Sequence, residues 1–343
     1  MTDSSNCFQN ILLATDFSDA AAVAVESAVK LARRCDAKLT IVHVVPDAVV
    51  SYAMLDYAEA GVGWAPPPDE MARLQKNLRE GAEQQLRKLV LEMRTGGLDI
   101  ETEVLVGVPY LSIVEAVKQK GHDLVVVGTR GMSAIKRVFV GSTATRLARA
   151  CPAPVWIARG SLPEGSPTIL AAVDFSPMSE RIVSVSAAVA AALNAKLHVL
   201  HVYDTEELYG APTISDEVRA EFSYYRRRAR RNAFERLEQL LEAQSMDHGT
   251  ATFHVSQGNP YQVINSTAKR LDVGLVVMGS VGRRGLSALL IGNTAEKVLH
   301  TSDRSLLVIK PVEVAAELPE DDEMSIDRRE LPVAAVSVAR RRW

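Results

Sequence analysis

The sequence has few cysteines, no long apolar run and no marked excess of either charge. The three cysteines, Cys7, Cys35 and Cys151, are too few and too scattered to predict a disulfide framework or a zinc site. No apolar run is long enough to cross a bilayer, and the first residues show neither a basic start nor an apolar signal segment. The formal net charge of -3 predicts no bulk attraction to nucleic acid or to a membrane. Together these absences predict a cytoplasmic protein.

Recognisable catalytic motifs are also missing. The sequence contains no Gly-x4-Gly-Lys-(Ser/Thr) phosphate loop and no evident pairing of a nucleophile with a base. His43 and His201 lie within apolar runs, without cysteine, histidine or carboxylate at the spacing of metal ligands, and we expect them to be core histidines with one hydrogen bond. We therefore assign no catalytic residue and no metal ligand.

What the sequence does contain is a glycine-rich pattern that occurs twice. Each copy follows a short apolar run, typical of a buried parallel strand, and precedes a predicted helix. The copies are Gly128, Gly131, Gly141 and Ser142, and then Gly279, Gly282, Gly292 and Asn293, with the spacing Gly-x2-Gly-x9-Gly before a small polar residue. Glycine lets a backbone approach a ligand closely, and a helix N-terminus attracts phosphate. One such loop would be weak support, but two in register indicate phosphate-binding sites.

The whole chain repeats in the same register. Residues 11–18 are similar in sequence to residues 169–176, and residues 39–44 are similar to residues 197–202. A Pro/Gly/Ser-rich linker lies between the repeats. Length alone also suggests two domains. We predict one domain at residues 8–160, a second at residues 166–311, and a flexible C-terminal tail at residues 312–343, which has an acidic cluster and matches neither repeat.

Strands that alternate with helices predict open parallel α/β sheets with right-handed crossovers. In such sheets, ligands bind beyond the carboxyl ends of the strands where the strand order reverses. Asp16 ends the first predicted strand and Gly128 ends the fourth, so both would face one crevice if these strands are neighbours. Asp16 and Asp174 could instead serve only the turn into the next helix, where aspartate is common.

The most charged feature is the run of arginines within residues 224–231. Five arginines in six residues cannot share one face of a helix, so most must be solvated. A surface helix compensated by glutamates such as Glu221, Glu235 and Glu238 is one interpretation. A patch that binds phosphate or another polyanion is the alternative.

Both repeats resemble the universal stress protein family, and the linker and the segment Gly292–Glu296 look most like its tandem, E-type bacterial members. The resemblance implies an α/β fold of two tandem open five-stranded parallel sheets flanked by helices. It further implies a nucleotide-binding, α-hydrolase-like class, the strand order 3-2-1-4-5 in each sheet, and pairing of the two domains through their fifth strands.

The same resemblance implies an ATP site, with or without Mg²⁺, in each half. In the first half the implied residues are Asp16, Val44, Val127, Gly128, Gly131, Gly141, Ser142 and Thr143. In the second half they are Asp174, Val202, Gly279, Gly282, Gly292, Asn293 and Thr294. Asn293 departs from the family pattern, which has serine or threonine there, so we expect ATP in the first half in preference to the second.

The leading functional hypothesis is therefore a cytoplasmic stress-response module that binds ATP and regulates through its conformation or its partners. A nucleotide-independent scaffold or carrier of another phosphorylated or apolar metabolite, or of a protein, is the alternative, and a weak ATPase ranks third. The expected partners are an adenine nucleotide, the second half of the same chain as a pseudo-dimer, a further copy in a homodimer, and a protein not identified by sequence. Neither a membrane nor nucleic acid is expected.

Overall fold

The computed structural model describes residues 7–50, 67–93, 97–129, 140–163, 165–203, 216–244, 246, 249–281 and 291–311. Within these residues, strands and helices alternate as the sequence predicts. The predicted glycines Gly131 and Gly282 and the C-terminal tail lie outside the described residues.

In the first half, five strands and four helices lie wholly within the described residues. They are β1 (Asn10–Ala14), α1 (Asp19–Cys35), β2 (Lys38–Val45), α2 (Pro68–Glu92), β3 (Ile100–Val106), α3 (Pro109–Lys120), β4 (Leu124–Gly128), α4 (Ser142–Ala150) and β5 (Val155–Ala158). The second half repeats the series with β6 (Thr168–Val173), α5 (Met178–Leu193), β7 (Lys196–Tyr203), α6 (Asp216–Glu242), β8 (Ala251–Gln257), α7 (Pro260–Arg270), β9 (Leu275–Gly279), α8 (Asn293–Thr301) and β10 (Ser305–Ile309).

All ten strands belong to one sheet, in the order β3-β2-β1-β4-β5-β10-β9-β6-β7-β8. Each half has the expected order 3-2-1-4-5 with parallel strands, and the fifth strands β5 and β10 pair antiparallel, with Leu307 opposite Trp156. The adjacency of the fifth strands is thus confirmed. The two sheets expected from the repeat are joined into one, because the pairing gives each apolar edge strand the backbone partners that it would otherwise lack.

Helices cover both faces of the sheet, and the alternation of strand side chains divides the core between them. One apolar cluster joins α1, α2, α5 and α6 to side chains such as Leu13 and Leu307, and the other joins α3, α4, α7 and α8 to side chains such as Leu12 and Leu306. Successive residues of a strand point to opposite faces. Strands buried on both faces explain why the sequence reads as continuous apolar runs rather than alternating ones.

One disulfide joins Cys7, just before β1, to Cys35 at the end of α1, with Cα atoms 5.7 Å apart. The number and spacing of the cysteines did not predict this link. The two residues are 28 positions apart in the sequence, and only the packing of α1 back along β1 brings them together. Cys151 is buried and free.

Two basic side chains, Arg159 and Lys310, link the halves by hydrogen bonds to carbonyl oxygens at the ends of helices. The Arg159 guanidinium, just after β5, donates to the carbonyl oxygens of Leu299 and Ser302 at the end of α8. Lys310 occupies the equivalent place after β10, and its Nζ donates to the carbonyl oxygen of Arg149 at the end of α4 over 2.6 Å. Because the C-terminus of a helix carries partial negative charge, each half supplies the cation that the last helix of the other half favours.

The stability of the protein should depend on pH through Lys310. Its side chain is fully buried, and burial lowers its pKa to about 8. An unfolded lysine titrates near about 10.4, so between these values the unfolded chain holds more protons and the stability rises with pH. We expect Lys310→Met to remove this rise, so that wild type gains up to about 3 kcal/mol over the variant between pH 8 and pH 10.5.

Urea unfolding of both proteins across this pH range measures the difference. Lys118→Met, at an exposed lysine of α3, is the matched control and should follow wild type. If the free energies of unfolding of wild type and Lys310→Met change with pH in the same way, the lowered pKa of Lys310 is contradicted.

Candidate functional site

A cleft of about 350 Å³ opens at the carboxyl ends of β1 and β4. These strands are neighbours in the sheet, with Ala14 opposite Val127, and the strand order reverses between them. Seven of the predicted residues line the cleft, namely Asp16, Val44, Val127, Gly128, Gly141, Ser142 and Thr143. A cavity of this size lies within the usual range for small-molecule sites. The fold thus brings together all the predicted residues of the first half that lie within the described residues.

Asp16 lines the cleft and also organises the turn into α1. Its Oδ1 accepts hydrogen bonds from the backbone N–H of Ser18 at 3.1 Å and from the Ser18 hydroxyl at 2.6 Å. The Ser18 Oγ in turn accepts from the N–H of Ala21, which caps the helix. Both interpretations of Asp16 therefore have structural support. In the described part of the chain, the turn uses only Oδ1 of the carboxylate.

His43 forms the hydrogen bond expected of a core histidine. Its Nδ1–H donates to the carbonyl oxygen of Thr15 at 2.8 Å, and its ring lies 4.5 Å from that of Phe17. Phe17 has a φ of 60°, in the left-handed region, where the chain leaves β1 for α1. His201 and Phe175 repeat the arrangement in the second half. The sequence did not reveal that His43 also lines the cleft beside Asp16 and Val44.

The N-terminus of α4 points its first turn at the cleft. Its N-cap is Gly141, which supplies no side-chain hydrogen bond, whereas Ser18 caps α1 with its hydroxyl. Ser142, Thr143 and Ala144 of the first turn all line the cleft. The first N–H groups of a helix have no partner within it and carry partial positive charge. This wall of the cleft is therefore suited to phosphate or another anion.

Gly128, which lines the cleft, is also required by packing. A Cβ placed on it would lie 2.8 Å from the carbonyl oxygen of Ala20, which is backbone and cannot rotate away. The first turn of α1 can therefore rest directly on the end of β4. At the equivalent Gly279, the nearest atoms to such a Cβ are the Val281 carbonyl oxygen at 3.1 Å and the Ile182 Cδ1 at 3.3 Å, so the constraint is weaker.

The second half places its predicted residues in the same relative positions. Asp174 follows β6, Val202 lies in β7, Gly279 ends β9, Gly292 is the N-cap of α8, and Asn293 and Thr294 begin that helix. β6 and β9 are neighbours, as β1 and β4 are. Asp174 Oδ1 accepts from the N–H of Ser176 at 3.0 Å. The hydrogen bond that the aspartate accepts from the backbone two residues further on is thus repeated, whereas the N-cap of α5 is Pro177, which makes no side-chain hydrogen bond.

Charge distinguishes the two halves at the first turn of the helices α4 and α8. The first turn of α8 contains Glu296, whereas α4 has the neutral Thr145 in the equivalent place. Glu296 pairs with Arg149 across the junction of the halves. A carboxylate in the first turn stabilises the helix but opposes a bound anion. An alignment of the two repeats could have revealed the difference between Thr145 and Glu296. It is a second difference between these helix starts, beside that between Ser142 and Asn293.

The described residues contain no group of three or more histidine, cysteine, aspartate or glutamate side chains placed to hold a metal ion. Across the same residues, no helix combines the length and the apolar character needed to cross a membrane.

The two halves have the same α/β topology, and each has an aspartate turn and a helix start without a side-chain cap, which defines a tandem α/β protein. The model of the universal stress protein family matches residues 8–159 and again residues 166–310. The chain therefore belongs to the universal stress protein family, with two copies of its domain in tandem.

Relatives of similar length support this assignment. The chain is 28% identical to Universal stress protein E of Salmonella typhi over 325 residues, which cover 92% of this chain and 98% of that protein. Its fold matches that of a universal stress protein structure from Pseudomonas aeruginosa with a TM-score of 0.62 at 21% identity, covering 92% of this chain and 97% of that one. A structure that covers 45% of this chain and 99% of its own, with 25% identity and a TM-score of 0.29, is a universal stress protein in complex with cAMP.

Proposed function

We propose that this protein is a cytoplasmic stress-response module that binds ATP in the cleft of its first half and regulates through the bound state. The observation that carries the proposal is the cleft itself. The Asp16 carboxylate and the first turn of α4, which has no side-chain cap, line one cavity of about 350 Å³. Such a cavity offers an acceptor for a base and a positive wall for phosphates.

The chemistry of an adenine nucleotide fits these walls. Apolar side chains, among them Val42, Val127 and Ile113, can pack against a purine ring. Asp16 can accept from the exocyclic amino group of adenine, and the backbone of Val44 can contribute further recognition. Phosphates would lie at Gly141, Ser142 and Thr143, where Mg²⁺ can accompany them.

The first half is the preferred site. Ser142 offers a small hydroxyl where the second half has the bulkier Asn293. In addition, the first turn of α8 contains the carboxylate of Glu296, which pairs with Arg149, whereas α4 has the neutral Thr145 in that place. Two independent differences thus favour the first half.

Asp16→Ala should weaken ATP binding by roughly 1–3 kcal/mol, because the amino group of a buried adenine would lose its acceptor. Guanine presents an acceptor at the same position of the ring, so the preference for ATP over GTP should also shrink. Titration calorimetry with each nucleotide measures both effects on one variant.

Ser18→Ala is the matched control, because it removes the cap of α1 and leaves the Asp16 carboxylate in place. Both variants should lose about 1 kcal/mol of stability. Only Asp16→Ala should lose nucleotide affinity and selectivity. If Asp16→Ala binds ATP with the same affinity as wild type, and GTP likewise, then Asp16 is not part of the nucleotide site and serves only the turn.

A nucleotide-independent carrier is the second candidate, and the apolar share of the cleft wall favours it. A phosphorylated or apolar metabolite could use the same α4 N-terminus without an adenine. Mass spectrometry of small molecules released from the purified, denatured protein separates the two functions, since the ATP proposal expects an adenine nucleotide there.

A further inference from the structure

Part of α6 stands clear of the rest of the protein. Residues 227–232 are six consecutive exposed residues, while Ala233, Leu237 and Leu241 further along the helix are buried. Six residues make more than one and a half turns, so no side of the helix is packed there. Four of the six are arginines, Arg227, Arg228, Arg230 and Arg231.

The equivalent helix of the first half pairs exposed basic side chains with carboxylates one turn away, whereas α6 gathers its arginines in one exposed stretch. On α2, Lys76 pairs with Glu80 at 3.8 Å, and Arg79 and Arg87 both pair with Glu83 at 3.7 Å. Lys76 is the counterpart of Arg227, since they lie six residues before the buried alanines Ala82 and Ala233, respectively. In the described part of the chain, the four exposed arginines of α6 make no ion pair with a carboxylate, Glu235 included.

A segment of complementary charge follows directly after the fold. Residues 312–327, outside the described residues, contain seven aspartates and glutamates and no lysine or arginine. Four of the seven are consecutive, from Glu320 to Glu323. Arginine prefers such carboxylates, because its planar fork of N–H donors can bind two oxygens at once.

The chain is long enough to bring the two together. β10 runs parallel to β9, β6 and β7, so it ends at the sheet edge where β7 ends and α6 begins. β7 is three strand positions from β10, or about 14 Å across the sheet, and the helix layer adds about 10 Å. The nine residues 312–320 can span roughly 30 Å when extended.

We propose that the acidic segment Glu320–Glu323 docks intramolecularly on the exposed arginines of α6. The arginine surface is then occupied by the chain itself, and salt or a stronger polyanion would displace the segment. This role is independent of the nucleotide site, and it would make the surface available to another anionic partner only after release of the segment.

Zero-length carbodiimide cross-linking of the full chain tests the proposal. Replacing Arg227, Arg228, Arg230 and Arg231 by lysine retains the charge and supplies amines that the reagent joins to touching carboxylates. We expect tryptic peptides that link these lysines to residues 320–323 at low salt, with a loss of about tenfold in yield at 1 M salt. Four exposed ion pairs, each weakened by a factor of about 1.8, account for that loss.

The chain provides its own controls for this experiment. The ion pairs Lys38–Glu101 at 2.6 Å and Lys120–Glu103 at 2.8 Å should cross-link in every sample, which confirms that the reagent works. Lys76, at the equivalent place on α2, should not link to the acidic segment. A mixture of ¹⁴N- and ¹⁵N-labelled protein distinguishes links within one chain from links between two.

Three results would overturn the proposal. One is the absence of links to residues 320–323 when both control pairs react, which would leave the arginines to an external polyanion. Another is linkage to Lys76 as strong as that to the lysines on α6, which would mean that the segment contacts basic side chains without preference. Mixed-isotope links alone would show that a second copy of the chain provides the segment.

Discussion

Ser142→Glu is expected to weaken ATP binding by about 2–3 kcal/mol, or roughly 30- to 150-fold, without loss of the fold. Ser142 is the first residue of α4 and lines the cleft where phosphates would lie. A carboxylate at this position repels the phosphates, because the two negative groups would lie close together. The same carboxylate favours the positive end of the helix, so thermal stability should stay level or rise by about 0.3–1 kcal/mol. Titration calorimetry and thermal unfolding on one sample measure both.

Asn293→Glu is the matched control, at the corresponding first residue of α8. It should leave ATP affinity unchanged if the first half holds the nucleotide. A loss of binding in Asn293→Glu, with wild-type affinity in Ser142→Glu, would assign the site to the second half. Full affinity in both variants would show that phosphate does not bind at either helix start.

Gly128→Ala should destabilise the protein by about 1–3 kcal/mol. The new Cβ would meet the backbone of Ala20 and Ala21 at 2.8–3.2 Å, and only a shift of the first turn of α1 can relieve that contact. Because Asp16 and Ser18 organise this turn, the variant should also weaken ATP binding. Urea unfolding gives the loss of stability, and calorimetry gives the loss of affinity.

Gly279→Ala is the comparison at the equivalent glycine. Its added Cβ would contact the movable Ile182 side chain and a carbonyl oxygen at 3.1 Å, so a loss smaller than that of Gly128→Ala is expected. Equal losses in the two variants would show that the contact with α1 does not set the requirement for glycine at position 128.

The repeat explains why the fold could be predicted so far from the sequence. Continuous apolar strands and two copies in register predicted two parallel α/β halves. The observed strand order within each half is the one that the resemblance to the family implied. The aspartate turn could also be predicted, since Asp16 and Ser18 act through neighbours in the sequence. Local chemistry of this kind is visible in the residues themselves.

The features that could not be predicted depend on contacts between distant residues. The packing requirement for glycine at position 128 arises only because the start of α1 lies against the end of β4 in the fold. Cys7 and Cys35 meet only because α1 packs back along β1. Arg159 and Lys310 occupy equivalent positions in the two repeats, and an alignment of the halves would have marked them as a pair. Their roles at the opposite helix ends, however, require the junction to be known.

The antiparallel pairing of β5 with β10 limits how this chain can assemble with others. Each half uses its fifth-strand edge on the other half, so only β3 and β8 remain as outer edges among the described strands. A single-domain relative with an open fifth strand would have to displace the fifth strand of the other half. A short linker holds that strand nearby, so its effective concentration is high. Subunit exchange through that edge is therefore disfavoured, and the stoichiometry of the pair is fixed by the covalent chain rather than by the cellular level of the protein.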